Sequence, residues 1–201
     1  AFFSEGRYTR TCGNVPRDYV ELPSQIMEEW ANDPEVIRMY AKHYQTGEAM
    51  PDSLINKLEN SGNFNQGFNT VEFLAAAILD MEYHKVKEVK DLDINAFEKE
   101  AMDKIGLIDE IVPRYRSTYY GHIFGGGYAA GYYVYYWAEV LDTDAFNYFK
   151  QSGDLFNPEL AKSFRLNCLQ ECGNDEGMVQ YKKFRGQEPS LDGFLMKHGL
   201  K

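Results

Sequence analysis

The sequence predicts an all-α fold of several helices, and three observations support this prediction. Apolar residues recur at intervals of three and four in most segments, as they do on one face of a helix. Two helix starts are marked by capping residues, because Asp33 precedes Pro34 and Asp93 precedes another periodic segment. Strand propensity is high only in the tyrosine run at 132–136.

Eight helical segments are predicted in order along the chain. The first contains Pro23, which removes a backbone hydrogen bond and therefore predicts a kink. The fourth is the clearest, and its predicted apolar side carries Phe73, Leu74, Ala77, Ile78 and Met81. We find no repeat, low-complexity tract or dividing linker. The predicted segments are residues 17–30, 33–44, 51–64, 65–86, 93–107, 128–153, 158–173 and 190–199.

Length and charge exclude several classes of protein. The 201 residues suit one domain with a sizeable core, and the formal net charge is -10. An acidic balance argues against a general nucleic-acid binder, which needs clustered Lys and Arg. No apolar run is long enough to predict a membrane span, and the opening "AFFSEGRYTR" lacks the features of a signal peptide.

The three cysteines are predicted to be free thiols. Cys168 and Cys172 lie four residues apart, which fits one face of a helix but not a short zinc knuckle. Cys12 is far from both in sequence. Free thiols favour a reducing compartment.

The stretch "GHIFGGGYAAGYYVYYW" at 121–137 is the most unusual in the chain. Its "GGGYAA" satisfies a loose dinucleotide-binding pattern, but that pattern requires a βαβ unit and the surroundings are helical. Three consecutive glycines are costly to order. Either another group passes close to this backbone or the backbone has to move.

Tyr128, Tyr132 and Tyr135 follow the glycines at i, i+4 and i+7, so a helix beginning there would place them on one face. Such a stripe can be a tyrosine-rich core. It can also surround a polar ligand beside His122, because every buried phenol needs a hydrogen-bond partner. Phenol donors suit a carbonyl oxygen that becomes an oxyanion.

The chain resembles the thimet oligopeptidase family of zinc metallopeptidases, and its bacterial peptidyl-dipeptidase branch most of all. The segment "HIFGGGYAAGYYVYYWAEVLDTDAF" resembles the histidine, glycine loop and tyrosines of that family. Independently, "CGNVPRDYVELPSQIMEEW" is similar to the family pattern "SGTNxPRDFVELPSQ". The segment "FNQGFNTVEFLAAAILDMEYH" and the terminal "HGLK" match in order, so the similarity spans essentially the whole chain.

The resemblance implies that residues 1–201 are the C-terminal part of the catalytic domain, forming part of the channel wall of a larger helical zinc peptidase. Family members hold one zinc ion through an HExxH helix and a downstream glutamate, which matches Glu21. The four histidines of this chain include no HExxH pair. The HExxH segment is expected just before residue 1, so we expect the chain alone to be inactive and to bind zinc weakly or not at all. Sequence leaves open whether it is an engineered fragment, a proteolytic half or one chain of a nicked enzyme.

The resemblance also assigns roles around the glycine loop. Tyr135 and, secondarily, His122 would stabilise the oxyanion, and Tyr128 would bind the substrate backbone or oxyanion once the loop closes. Tyr132 would contact substrate on the same stripe. The hinge and the close backbone approach are assigned to Gly125, Gly126 and Gly127.

The implied substrates are short peptides, with release of C-terminal dipeptides as the preferred specificity. Arg114 and Arg116 either bind a substrate carboxylate or form a solvated pair. The expected partners are peptides and the missing N-terminal part of the enzyme, with no nucleic acid and no membrane. The expected compartment is the cytoplasm, with the periplasm as the alternative. Two rival interpretations are a non-catalytic helical peptide-binding module and a purely structural domain.

Overall fold

A computed structural model of the chain describes residues 4–6, 8–89, 91–171 and 173–201. These residues form α-helices and no strand; one isolated antiparallel bridge joins Lys42 to Ala49. The all-α prediction is confirmed. The helices are Leu22–Asn32 (α1), Pro34–Tyr40 (α2), Asp52–Ser61 (α3), Gln66–His84 (α4), Ile94–Lys104 (α5), Gly121–Phe124 (α6), Val134–Gln151 (α7), Pro158–Phe164 (α8), Gly177–Arg185 (α9) and Asp192–Lys197 (α10).

The two predicted caps are confirmed. The Asp33 carboxylate accepts a hydrogen bond from the backbone N–H of Glu35, and Pro34 begins α2. The Asp93 carboxylate accepts from two N–H groups in the first turn of α5. Both aspartates satisfy donors that have no partner inside the helix.

Each predicted segment contains an observed helix, but three details are wrong. Pro23 lies in the first turn of α1, where its missing N–H would have had no helical partner, so it causes no kink. The described part of the segment 158–173 forms α8 and a π-helical turn, Arg165–Leu169, rather than one long helix. The sequence also does not predict α6 or α9.

The chain forms two compact units, residues 1–64 with 136–201, and residues 65–135. The core of the first unit is rich in aromatic rings. The Trp30 ring of α1 meets the rings of Phe146 and Phe149 of α7 edge-on, with centroids 4.9 and 4.8 Å apart. Other buried members are Tyr19, Leu22, Ile26, Leu141, Phe164, Tyr181 and Phe184.

In the second unit, the buried face of α4 matches the predicted one only in part: Ala77 is buried, and Phe73 packs against a buried cluster. Leu74 and Met81, placed on its apolar side by periodicity, are 42% and 39% exposed. The buried face also includes three consecutive alanines at 75–77, and alanines allow neighbouring segments to approach the helix closely. Ala75 and Leu79 pack on α5, whereas Ala76 and Ala77 pack on Tyr120, Ile123 and Tyr132.

Two of the three cysteines can be assessed. Cys12 is a free, exposed thiol and Cys168 is a free, buried one, as predicted. Burial raises the pKa of the Cys168 thiol to about 12, so it remains protonated and inert at neutral pH. Cys172 lies outside the described residues.

Asp142 of α7 is fully buried, and neither of its carboxylate oxygens has a hydrogen-bond partner among the described residues. Burial raises the pKa of this carboxyl to about 8. Lys197 acts against that increase, while Glu29, Glu139 and Glu28 add to it. The folded protein therefore favours the protonated form of Asp142.

This shift predicts a loss of stability as the pH rises. A group with a raised folded-state pKa stabilises the fold fully below its unfolded pKa, near pH 4, and loses that contribution towards pH 8. The loss has a slope of up to about 1.4 kcal/mol per pH unit. Asp142→Asn cannot ionise, so in the protein containing this chain its urea midpoint should fall less than that of the wild type between pH 5 and pH 8. The exposed Asp18→Asn serves as the control, and parallel midpoint curves for wild type and Asp142→Asn would contradict the prediction.

Candidate active site

The second unit brings His122, Tyr128, Tyr132 and Tyr135 together, and Tyr115 joins them. We call these five residues the aromatic cluster. The His122 ring centroid lies 4.8 Å from that of Tyr115, 5.5 Å from Tyr132, 6.0 Å from Tyr128 and 6.1 Å from Tyr135. The ring of Tyr135 stacks on Tyr128 at 5.3 Å and lies 5.4 Å from Tyr132.

Only Tyr135 of the predicted tyrosine stripe lies on a helix. The prediction of a helix beginning at Tyr128 is wrong, because α7 begins only at Val134, whereas Tyr132 lies in a turn and Tyr128 in irregular backbone. The three tyrosine rings nevertheless lie close together, as helical spacing predicted, although the backbone at 128–133 is not helical. Tyr133, two residues before Tyr135, is 48% exposed.

The glycine triplet packs against the short helix that precedes it. The N–H groups of Gly125 and Gly126 donate to the Gly121 carbonyl at 2.9 and 2.7 Å, and the N–H of Tyr128 donates to the His122 carbonyl at 3.0 Å. A Cβ on Gly126 would lie 3.0 Å from the His122 carbonyl oxygen. Gly127 has a φ of +78°, in the left-handed region that favours glycine.

Asp80 ties the other end of this segment to α4. Its fully buried carboxylate accepts the backbone N–H of Ala130 through Oδ1 and that of Tyr132 through Oδ2, both at 2.9 Å. The Nδ1 atom of His84 lies 2.9 Å from Oδ1. Sequence reasoning missed both Asp80 and Tyr115. An acidic residue inside the apolar run "FLAAAILDM" was the available signal for Asp80, because a buried charge must be paired.

The buried phenols of the unit stay protonated near neutral pH. Burial raises the pKa of Tyr132 to about 12, with Tyr115 adding to the increase and Arg114 opposing it. Burial also raises the pKa of Tyr120 well above its ordinary value. A protonated phenol is a hydrogen-bond donor, so Tyr132 is a donor rather than a base.

The two arginines before the loop differ in their partners. Arg116 pairs with the buried carboxylate of Glu98, which also accepts the N–H and hydroxyl of Ser117. Arg114 is half-exposed, and its nearest ion-pair distance is 3.8 Å, to Glu72. Arg114 is thus the arginine whose guanidinium lies at the aromatic cluster without a short ion pair.

Glu21 lies in the first unit, directly before α1. Its carboxylate accepts a hydrogen bond from the Ser24 hydroxyl at 3.0 Å, and the same hydroxyl contacts the Glu21 carbonyl. In the described parts of the chain, no group of three or more His, Cys, Asp or Glu side chains is arranged to hold a metal ion. Glu21 can therefore serve as one metal ligand but not as a site by itself. The described residues also include no helix that combines the length and apolar character needed to cross a membrane.

Comparison with known proteins identifies the family to which this chain belongs. The sequence pattern of Peptidase family M3 matches residues 1–200. The chain belongs to peptidase family M3. It is 44% identical over 206 residues to the dipeptidyl carboxypeptidase of Escherichia coli (strain K12), and 40% identical over 192 residues to the oligopeptidase A of the same organism. The resemblance found in the sequence motifs is confirmed.

The matches cover most of this chain but only a minor part of each relative. They span 98% and 93% of the chain, but 29% of the dipeptidyl carboxypeptidase and 28% of the oligopeptidase A. A dipeptidyl carboxypeptidase of Salmonella typhimurium shows the same proportions, at 41% identity. The M3 chain thus spans less than a third of the length of these relatives.

The glycine geometry in this M3 chain generates a prediction about stability. Gly127→Ala places a Cβ in the left-handed region, which costs about 1–2 kcal/mol, and should lower the unfolding midpoint of the protein in urea. Gly125→Ala is the matched control, because its Cβ would lie at an ordinary 3.5 Å from the Gly121 carbonyl oxygen. Equal midpoints for the two variants would mean that residue 127 does not require the left-handed conformation.

Proposed function

We propose that residues 1–201 form the C-terminal part of the catalytic domain of a zinc metallopeptidase. They supply a group of substrate-binding side chains that we call the clamp, which consists of His122, Tyr128, Tyr132 and Tyr135. The convergence of His122, Tyr128, Tyr132 and Tyr135 on one site carries this proposal. Membership of family M3 supports peptide hydrolysis. A set of phenol and imidazole hydrogen-bond donors fits a carbonyl oxygen that gains negative charge during the attack of water.

In this proposal each member of the clamp has a separate task. The Tyr135 hydroxyl and, secondarily, the His122 ring donate to the oxyanion. Tyr128 lies between the glycines and Ala130, so movement at Gly125, Gly126 and Gly127 carries its phenol towards the substrate backbone. Tyr132 is only 2% exposed, and it contacts substrate after that movement.

Glu21 is proposed as one ligand of the zinc ion. A carboxylate oxygen is a suitable zinc donor, and the hydrogen bond from Ser24 orients it, as outer partners orient metal-bound carboxylates. Bound zinc supplies Lewis-acid chemistry that makes water a stronger nucleophile near neutral pH. The other protein ligands and the general base are assigned to an HExxH helix preceding residue 1. The isolated chain is accordingly proposed to be inactive and to bind zinc weakly or not at all.

The proposed substrates are short, unstructured peptides from which C-terminal dipeptides are released. The names of the E. coli and S. typhimurium dipeptidyl carboxypeptidases support this specificity. The half-exposed guanidinium of Arg114 is available beside Tyr132 to bind a terminal carboxylate with two hydrogen bonds. The proposed compartment is the cytoplasm, with the periplasm as the alternative.

Removing one phenol oxygen tests the oxyanion role. In the full-length protein, Tyr135→Phe should lower kcat about 100- to 1,000-fold with little change in KM, because the lost hydrogen bond forms mainly in the transition state. The measurement is steady-state hydrolysis of a fluorogenic short peptide.

Tyr133→Phe is the matched control for that test, since it removes an exposed phenol two residues away. It should leave kcat within about twofold of the wild type. Equal kcat values for Tyr135→Phe and wild type would reject the clamp role. A wild-type protein that binds peptides without hydrolysing them would instead support a helical peptide-binding module.

Removing the carboxylate of Glu21 tests the metal role. The full-length protein should contain about one zinc ion per molecule, and Glu21→Ala should lose most of it after dialysis, because a catalytic site needs three protein ligands. The measurement is zinc content by atomic emission. Glu28→Ala, an exposed glutamate on α1, should keep its zinc. Full zinc retention in Glu21→Ala would exclude Glu21 as a ligand.

A further inference from the structure

We propose that Asp80 is a positioning residue that fixes the tyrosines of the clamp through their backbone. This inference rests on the proposed function, since the phenols need exact placement only if they act on a reacting carbonyl group. Asp80 lies on α4, between Ala77, which packs in the same cluster as Tyr132, and His84, which ends the helix. The Asp80 carboxylate contacts backbone N–H groups rather than a phenol, so it acts through another residue.

The carboxylate of Asp80 divides its two oxygens between two amides of the loop. Oδ1 accepts from Ala130 and Oδ2 from Tyr132, both at 2.9 Å, and these residues flank the buried Gly131. His84 Nδ1 lies 2.9 Å from Oδ1. Hydrogen bonds to an ionised carboxylate are stronger than neutral ones, and burial protects them from competition by water.

The backbone held by Asp80 is not one that the chain adopts freely. Ala130 has a φ of +52°, a left-handed conformation that costs a non-glycine residue about 1–2 kcal/mol. Such a conformation persists only where surrounding contacts hold it. The bond from the Ala130 N–H to Asp80 is a contact of this kind at the strained residue itself.

Asp80 is the last of three residues, spaced four apart on α4, that form hydrogen bonds to the segment from 114 to 132. The Glu72 carbonyl accepts the N–H of Arg114 at 3.1 Å, and the Ala76 carbonyl accepts the hydroxyl of Tyr120 at 3.0 Å. Residues four apart lie on the same helix face, so the segment from 114 to 132 runs along one face of α4. Phe73 on that helix stacks on the Tyr132 ring at 4.9 Å.

The hydrogen bonds of Asp80 separate a fixed part of the clamp from a movable part. The bonds to Ala130 and Tyr132 lie after the glycine triplet and directly before Tyr135 in the chain. A rotation at the glycines can therefore move Tyr128 while Tyr132 and Tyr135 stay in place. Preorganised donors of this kind stabilise a transition state without reorganising during the reaction.

The test is Asp80→Asn in the full-length protein, assayed by peptide hydrolysis well below its unfolding temperature. An amide can accept from one N–H, but its NH₂ group faces the other N–H, so one tie is lost. We expect kcat to fall about tenfold or more with KM within about twofold. An unchanged kcat for a folded Asp80→Asn would overturn the proposal.

A double variant separates positioning from a general loss of structure. If Asp80 acts through Tyr135, Asp80→Asn should lower kcat much less in a Tyr135→Phe background than in the wild type. Multiplicative effects would overturn the positioning role. Glu98→Gln is the matched control, because Glu98 is also a buried carboxylate of this unit but binds Ser117 and Arg116. Its kcat should stay near that of the wild type even if its stability falls.

Hydrogen exchange on the wild-type protein keeps the proposal testable if Asp80→Asn does not fold. The amides of Ala130 and Tyr132 should exchange at least about tenfold more slowly than the amide of Gly127, since both are bonded to a buried carboxylate. Equal exchange would overturn the tie. If the wild-type protein hydrolyses no peptide, the proposed function fails, and the exchange result still decides whether Asp80 holds the loop.

Discussion

The second unit depends on one constraint, which is the pairing of a buried carboxylate on α4 with backbone amides of a segment that has no regular structure of its own. Residues 125–133 contain turns, a glycine triplet and a left-handed alanine. Gly125 and Gly126 bond back to Gly121 of α6, but the amides of Ala130 and Tyr132 have a side chain as their partner. Asp80 supplies tertiary partners for two of these amides. Burying an unpaired charge is costly, so the amides of the loop stabilise the buried carboxylate, and the carboxylate in turn fixes the conformation of the loop.

This mutual dependence explains how the phenols of one small core are held in defined positions. Ring packing alone is tolerant of small displacements, since aromatic pairs accept several geometries at 4.5–7 Å. Hydrogen bonds at both oxygens of one carboxylate are much more restrictive in direction and length. The hydrogen bonds from Asp80 therefore fix the backbone from which the tyrosine side chains extend. The rings of Tyr132 and Tyr135 then pack on Phe73 of α4.

Sequence reasoning predicted the helices well and the loop poorly, for a physical reason. Caps such as Asp33 and Asp93 act within a few residues, so their signal is local and can be identified in the chain. The start of α7 and the buried face of α4 depend on partners distant in sequence, and periodicity carries no information about them. Family motifs compensated for this in part. They selected the tyrosines that converge, although the helix invoked to align them does not exist at Tyr128.

The proposed division between fixed and movable groups matches the chemistry proposed for the chain. A phenol that donates a hydrogen bond to substrate must remain protonated, and burial favours this for Tyr132 by raising the pKa of its phenol. A donor that captures a substrate must instead move, and Tyr128 follows directly after three glycines. Activating water requires metal ligands, and of these the chain is proposed to supply one carboxylate, Glu21. In the proposed function, the residues of this chain hold the carbonyl group and its developing charge, while the attack on that carbonyl depends on groups from outside the chain.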